Sequence, residues 1–202
     1  MSGPTGTRPR GRPAAASRED VVAVATRQYL RGERVDVRAI ATELGLGRAT
    51  IYRWFGTRED LIGEVLARAA APLLQDARAQ ARGKGGAALL DTFDRFNRGL
   101  ADAPALRRFV EAEREAALRI ITSGAGIVQQ RIVDAIAELI EEEARAGRYQ
   151  PPVETGTLAY AIVKLAEAFL FSDAVAGMRG DVERLREVEA ALLGIARPKR
   201  TR

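Results

Sequence analysis

Apolar residues recur along this chain three and four positions apart and never alternate with polar ones for more than a few residues, a pattern that predicts helices and no strands. The fold class is therefore all-α. A first helix opens at Ser17-Arg18-Glu19-Asp20, where the acid can reach back to the serine, and presents Val21, Val22, Ala25, Tyr29 and Leu30 on one face before Gly32 ends it. Asp36 caps the next helix, whose Ile40, Ala41 and Leu44 share a side until Gly45. The pattern restarts after Gly47 with Ala49, Ile51 and Phe55, leaving Arg48, Thr50, Tyr52, Arg53 and Trp54 on the remaining surface. Two short helices joined by a glycine turn, the second crowded with Thr, Tyr and Arg, make a helix-turn-helix pattern whose second helix suits a DNA major groove.

Thr57 caps a further helix expected over residues 58–80, with Leu61, Ile62, Val65, Leu66, Leu73 and Leu74 inward. Pro72 either kinks it or starts a separate helix, because proline removes a backbone donor and clashes with the preceding turn. Arg82-Gly83-Lys84-Gly85-Gly86 marks the boundary that follows, and this glycine stretch lacks the order of a phosphate-binding loop. The periodicity then predicts helices over 87–101, from Pro104 to a break at 123–126, over 127–145, over 153–178 and over 182–195. The one over 153–178 is apolar nearly all round, so it faces the core on one side and another surface on the other.

Composition narrows the function. Cysteine and histidine are both absent, which removes disulfides, thiolate metal sites, the usual zinc ligands and the commonest general base. No catalytic residue, metal site or cofactor is assigned, although carboxylate or lysine chemistry stays open. No apolar run approaches the roughly 20 residues that span a bilayer, and the basic N-terminus lacks the apolar core of a signal peptide, so a cytoplasmic protein without membrane contact is expected. The charge is uneven: residues 1–70 hold 12 Lys/Arg against 8 Asp/Glu, residues 71–196 hold 16 against 19, and Arg197, Lys199, Arg200 and Arg202 crowd the C-terminus. Basic charge thus accompanies the helix-turn-helix and both tails, as phosphate attraction requires.

The stretch from residue 35 to 66 resembles the DNA-binding region of the TetR family of transcriptional regulators. The resemblance rests on Ile40-Ala41, Leu44-Gly45-Leu46, Thr50-Ile51-Tyr52, Phe55 and Thr57-Arg58-Glu59. It implies that Arg38 and Arg48 reach bases, that Thr50 meets a phosphate or a thymine methyl, and that Tyr52 and Arg58 hold phosphates. Ala49, Arg53 and Trp54 complete the implied DNA-binding set. Trp54 stands where the family often has histidine, and Gly47 where a capping residue is frequent. Near the N-terminus, Pro9-Arg10-Gly11-Arg12-Pro13 resembles the core of an AT-hook, so Arg10 and Arg12 belong either to an arm in the minor groove or to a solvated basic tail.

The same resemblance implies a ligand pocket in the helical body and a homodimer through the last two helices. Polar residues inside otherwise apolar helices are the pocket candidates: Asn97 beside Phe93 and Phe96, Glu113 near Phe109, and Tyr160, Lys164 and Glu167. Lys164 and Glu167 could equally pair at a rim or a dimer interface. The Glu33-Arg34-Val35-Asp36-Val37 segment, Arg48 to Trp54 and the body look similar to the branch of the family associated with quorum-signal lactone degradation, which implies an acyl-lactone or other amphipathic effector. The expected organisation is a basic arm (1–16), a DNA-binding domain (17–70), a ligand-binding and dimerisation domain (71–196) and a basic tail (197–202). The leading reading is a homodimeric repressor that binds a palindromic double-stranded operator and is released by a small molecule. The alternatives are an α-helical enzyme using Glu113 or Lys164 and a helical scaffold for protein partners.

Overall fold

A computed structural model describes residues 16–124, 126–171 and 181–195. Among the described residues stand ten α-helices and no strand: α1 (Arg18–Leu30), α2 (Val37–Leu44), α3 (Arg48–Phe55), α4 (Arg58–Gln80), α5 (Gly86–Asp102), α6 (Pro104–Ala112), α7 (Arg114–Thr122), α8 (Ile127–Arg145), α9 (Thr155–Phe171) and α10 (Val182–Leu192). Arg10 and Arg12, the basic C-terminal tail and the last residues of the helix expected over 153–178 lie outside the described residues.

The helix starts are local chemistry. Ser17 accepts from the Asp20 N–H while the Asp20 carboxylate accepts from the Ser17 N–H, and Thr57 and Asp60 repeat the arrangement at α4. Asp36 opens α2 by accepting from the Arg38 N–H at 2.7 Å. Gly45 closes α2 at φ +64°, a left-handed conformation costly for a residue with a Cβ, and Leu46 N–H then returns to Ala41 O at 2.9 Å.

Two helix boundaries depart from expectation. Pro72 lies within one continuous α4. Both Pro72 and Arg68, whose carbonyl loses its partner, sit on the exposed face, where water can take the freed acceptor. The helix expected to continue unbroken from Pro104 divides instead into α6 and α7 at Glu113, whose backbone stands at φ −133°, ψ 48°. Nothing in Glu111-Ala112-Glu113-Arg114 breaks a helix; a tertiary ion pair on Glu113, described below, accompanies the break. Leu30, expected to pack inward, is 56% exposed at the end of α1.

The helix-turn-helix is held by Ile40, Ala41, Ile51 and Phe55, which bury against Val21 and Ala25 of α1 and Leu61, Ile62 and Val65 of α4. Burial of each large aliphatic among them stabilises by about 1.5–3 kcal/mol. That cluster runs on without interruption into Leu106 and Val110 of α6, Ala117 and Ile121 of α7 and Leu170 of α9. A second cluster joins α5, α8 and α9 through Leu89, Phe93, Ile136, Ile140, Leu158 and Ile162.

The α4–α5 turn is tied to the far end of α8. Gly85 N–H donates to Glu143 Oε2 at 2.9 Å, and a Cβ at Gly85 would stand 2.1 Å from the Arg148 carbonyl oxygen with φ at +60°. Gly147 has a similar φ of +66° but open space around it. Gly85→Ala should therefore cost roughly 2–4 kcal/mol in urea unfolding and Gly147→Ala only about 1; equal losses would mean that backbone conformation, not the collision, sets the cost.

Candidate nucleic-acid interface and buried cavity

The outer face of α2–α3 carries cations that the protein does not neutralise. Arg38, Arg48, Ala49, Tyr52 and Arg53 are exposed, while Thr50 and Trp54 are half-buried. Nearby acids are engaged elsewhere: Asp36 and Asp60 cap helices, Glu43 pairs with Arg27, and Glu59 takes two hydrogen bonds from Arg119. Among the described residues no hydrogen bond or ion pair occupies the side chains of Arg38, Arg48 or Arg53. Tyr52 is 45% exposed, a large aromatic left outward beside them. Gly47 supplies no side-chain cap, so the first-turn amides of α3 also lack a side-chain acceptor. The result is a positive surface of one helix's width, which matches phosphate and base-edge contact.

Arg58 stands apart from this face. Its Nε donates to Val35 O at 2.8 Å and its two terminal nitrogens donate to the two oxygens of Glu113, each at 2.7 Å. Expected at a phosphate, it is instead mostly buried and fully engaged. Glu113, expected in a pocket, is its partner at the α6–α7 break, with Arg34 3.8 Å away. The bonds from Arg58 hold the Glu113 carboxyl below the usual carboxylate range, against the opposing effect of burial. With the Arg119–Glu59 pair, it fastens the first turn of α4 to the α6–α7 segment.

Behind α1 and α4 lies a cavity of about 400 Å³. Phe93, Phe96 and Asn97 line it, as does Glu167. Phe109, Glu113, Tyr160 and Lys164 are not brought to it. Phe109 packs edge-on against Tyr29 at 6.2 Å, and Tyr160 is 51% exposed on the outside of α9. Lys164 donates to Glu167 Oε2 at 2.7 Å and to the Thr122 carbonyl at 3.3 Å, bridging α9 to the end of α7. The walls are almost wholly apolar and come from every described helix except α2 and α3. Tyr29 and Leu30 are the contribution of α1, so the cavity touches the helix that supports the helix-turn-helix.

Two buried polar residues of this cavity escaped sequence reasoning. Gln129 on α8 is 2% exposed with neither side-chain Nε2 nor Oε1 hydrogen-bonded. Glu189 on α10 is fully buried; its Oε1 accepts from Asn97 Nδ2 at 3.0 Å and its Oε2 has no partner. Burial pushes the Glu189 carboxyl up to about 7, with Asp94 adding to the rise and Asn97 and Arg186 opposing it. A signal for both was available: Glu189 follows Leu185 by four residues, and Gln129 precedes Ile132 by three, each a polar residue on an apolar stripe.

A second recess, of about 540 Å³, lies between α1, α4 and α8. Its cations are paired: Arg18 and Arg131 meet Glu64 at 2.8 and 2.5 Å, and Arg68 meets Glu19. It reads as a pin between α1, α4 and α8.

These two sites, a cationic reading helix and an apolar cavity behind it, are features of an effector-responsive DNA-binding regulator. Residues 32–65 match the model of the bacterial regulatory proteins of the tetR family, and residues 84–194 match a tetracyclin repressor-like C-terminal domain. The second match alone spans more than half of the chain. The chain belongs to the TetR family, whose members are transcriptional regulators with a DNA-binding helix-turn-helix, not enzymes. They respond to small molecules and bind DNA as dimers. Among solved structures the chain is similar to the transcriptional repressor QsdR of R. erythropolis, at 28% identity and TM-score 0.84, over 91% of this chain and 97% of that one. It shares its fold with the repressor AlkX of Dietzia sp. strain DQ12-45-1b (21% identity, TM-score 0.58, 89% and 94% covered). The fatty acid degradation regulator FadR of Bacillus halodurans also shares the fold (17% identity, TM-score 0.53, 90% and 100% covered). A comparison with curated proteins finds no match. No helix among the described residues is long and apolar enough to cross a membrane.

Two predictions test this geometry. In a double-mutant cycle of Arg58→Ala and Glu113→Ala, the coupling in urea unfolding should be about 1–3 kcal/mol, below the figure for a fully buried pair because both side chains retain some exposure; additive losses would show the pair to be uncoupled. The proton on Glu189 is held more tightly in the folded chain than at the ordinary 4.5, so its stabilising effect is complete below about pH 4.5 and is lost as pH rises through about 7. Glu189→Gln should therefore remove roughly 2–4 kcal/mol of the stability lost between pH 4.5 and 8, read from urea midpoints across that range; identical pH profiles for wild type and variant would refute the assignment.

Proposed function

We propose that this chain is a homodimeric repressor that binds a palindromic operator and releases it when a small amphipathic effector fills the body cavity. The uncompensated cationic face of Arg38, Arg48, Arg53 and Tyr52 on α2–α3 is the observation that carries the DNA-reading half. Arg38 and Arg48 read base edges; Thr50, Tyr52 and the neighbouring Ala49, Arg53 and Trp54 fit against backbone and groove wall. Arg58 acts one step back, by holding α4 and with it the angle of α3. Arg10 and Arg12, which lie outside the described residues, are proposed as an arm in the minor groove, the alternative being a solvated basic tail.

Residues 17–70 form the reading unit, and residues 71–196 hold the dimer contact and most of the wall around the effector. The partner packs across α9 and α10, where Tyr160 is left outward. An effector changes operator affinity only by preferring one arrangement of the two reading units. The cavity lends itself to this because Tyr29 and Leu30 of α1, and Leu66 and Ala69 of α4, bound it directly. Phe93, Phe96, Asn97 and Glu167 are the effector contacts among the residues proposed from sequence. Similarity to the repressor QsdR supports repression as the sign of regulation.

Selection of bound duplexes from a random pool, followed by a gel-shift salt series, tests the reading. A palindromic winner is expected, bound by a dimer with a steep salt slope. On that site Arg48→Ala should cost about 1–3 kcal/mol relative to scrambled DNA. No enrichment by folded protein at low salt would overturn the operator reading, and an Arg48→Ala protein equal to wild type on both DNAs would remove Arg48 from the bases.

A further inference from the structure

Among the described residues the cavity wall carries acids and no bases. Its charged residues there are Asp102, Glu167 and Glu189, with no lysine or arginine. Glu167 is already paired with Lys164, and Asp102 lies exposed at the end of α5. Only Glu189 is a fully buried acid, and its Oε2 is left without a partner while Asn97 fixes Oε1. Gln129 of α8, on the same cavity wall, adds an unused donor and an unused acceptor. Buried polar atoms are seldom left unpaired in the absence of a role, since each costs its full desolvation.

We infer that the effector of this cavity is an elongated apolar molecule with an uncharged head that both gives and takes a hydrogen bond, a carboxamide being the simplest, and that Glu189 receives that head and rejects the matching carboxylate. The inference rests on the effector-binding reading and names the ligand class for it. A carboxylate head would enter a space of low dielectric whose described lining holds an acid and no cation, Arg186 standing outside that lining 3.8 Å from Asp94, which is costly twice over. A carboxamide meets Glu189 in either protonation state: its N–H donates to an ionised Oε2, and its carbonyl accepts from a protonated one. The elevated proton affinity of Glu189, with Asp94 and Arg186 as the charged groups that influence it, makes both states available near neutrality. The remaining apolar walls, among them Phe93, Phe96, Leu73 and Ile132, suit an aliphatic tail.

The test is calorimetric titration of the full chain with octanamide and octanoate at pH 8, where octanoate is ionised, using wild type and Glu189→Gln, with operator gel shifts in parallel. Wild type should bind octanamide at least ten-fold more tightly than octanoate. Glu189→Gln, which keeps the shape and a hydrogen-bonding amide but removes the acid, should narrow that ratio at least five-fold. Should the variant not fold, the wild-type ratio decides alone. Octanoate binding as tightly as octanamide overturns the inference and leaves effector release standing. A wild-type preference unchanged by a folded Glu189→Gln overturns the role of Glu189. Octanamide that binds with the expected preference but leaves the operator complex intact supports the ligand class and counts against release by that compound. Binding of neither, by protein that still shifts its operator, overturns the ligand class.

Discussion

The packing of α4 into two cores at once governs the rest of this molecule. Its first half buries Leu61, Ile62 and Val65 among the helix-turn-helix side chains, while Ala70 and Ala77 further along lie against Phe96 of the body. A rigid helix shared in this way cannot shift at one end without disturbing the other. The Arg58–Glu113 and Arg119–Glu59 pairs add a second bond between the same parts, at the turn where α4 leaves the reading helix. Position of α3 is thus set by burial and by charge together, and both run through α4.

The same economy of connection places the cavity. It lies where α1 and α4 meet the body helices, so the walls that would sense a ligand are the backs of the helices that support DNA reading. Tyr29 of α1 lines the cavity and packs edge-on against Phe109 of α6, so the α1–α6 contact borders the cavity directly. Pro72 in α4 is accommodated without a break, which keeps that helix a single lever across its 23 residues.

Charge divides the surface by task. On α2–α3 the acids are consumed as caps and ion-pair partners, leaving arginines free toward solvent, whereas the cations of the α1–α4–α8 recess are each matched by Glu19 or Glu64. Arginine serves both purposes in this chain, and only its partners distinguish a positioning residue such as Arg58 from an exposed one such as Arg48.

Sequence alone determined what depends on neighbours in the chain. The caps at Ser17, Asp36 and Thr57, the glycine turn at Gly45, the helical periods and the outward crowding of Arg48, Tyr52 and Arg53 are all written within a turn or two of each residue, where spacing and hydrogen-bond reach suffice. Tertiary structure decided what depends on distant partners. Glu113 stands at a helix break outside the cavity with both its oxygens held by Arg58, 55 residues away; Glu189 becomes a buried acid with a raised proton affinity because the helices packed around it exclude water, an effect that the bond from Asn97, 92 residues away, opposes. The polar residues on the apolar stripes of α8 and α10 were visible in the sequence, but whether such a residue is solvated, paired or turned into a cavity is set by desolvation and by which helices pack around it, and no local pattern carries that information.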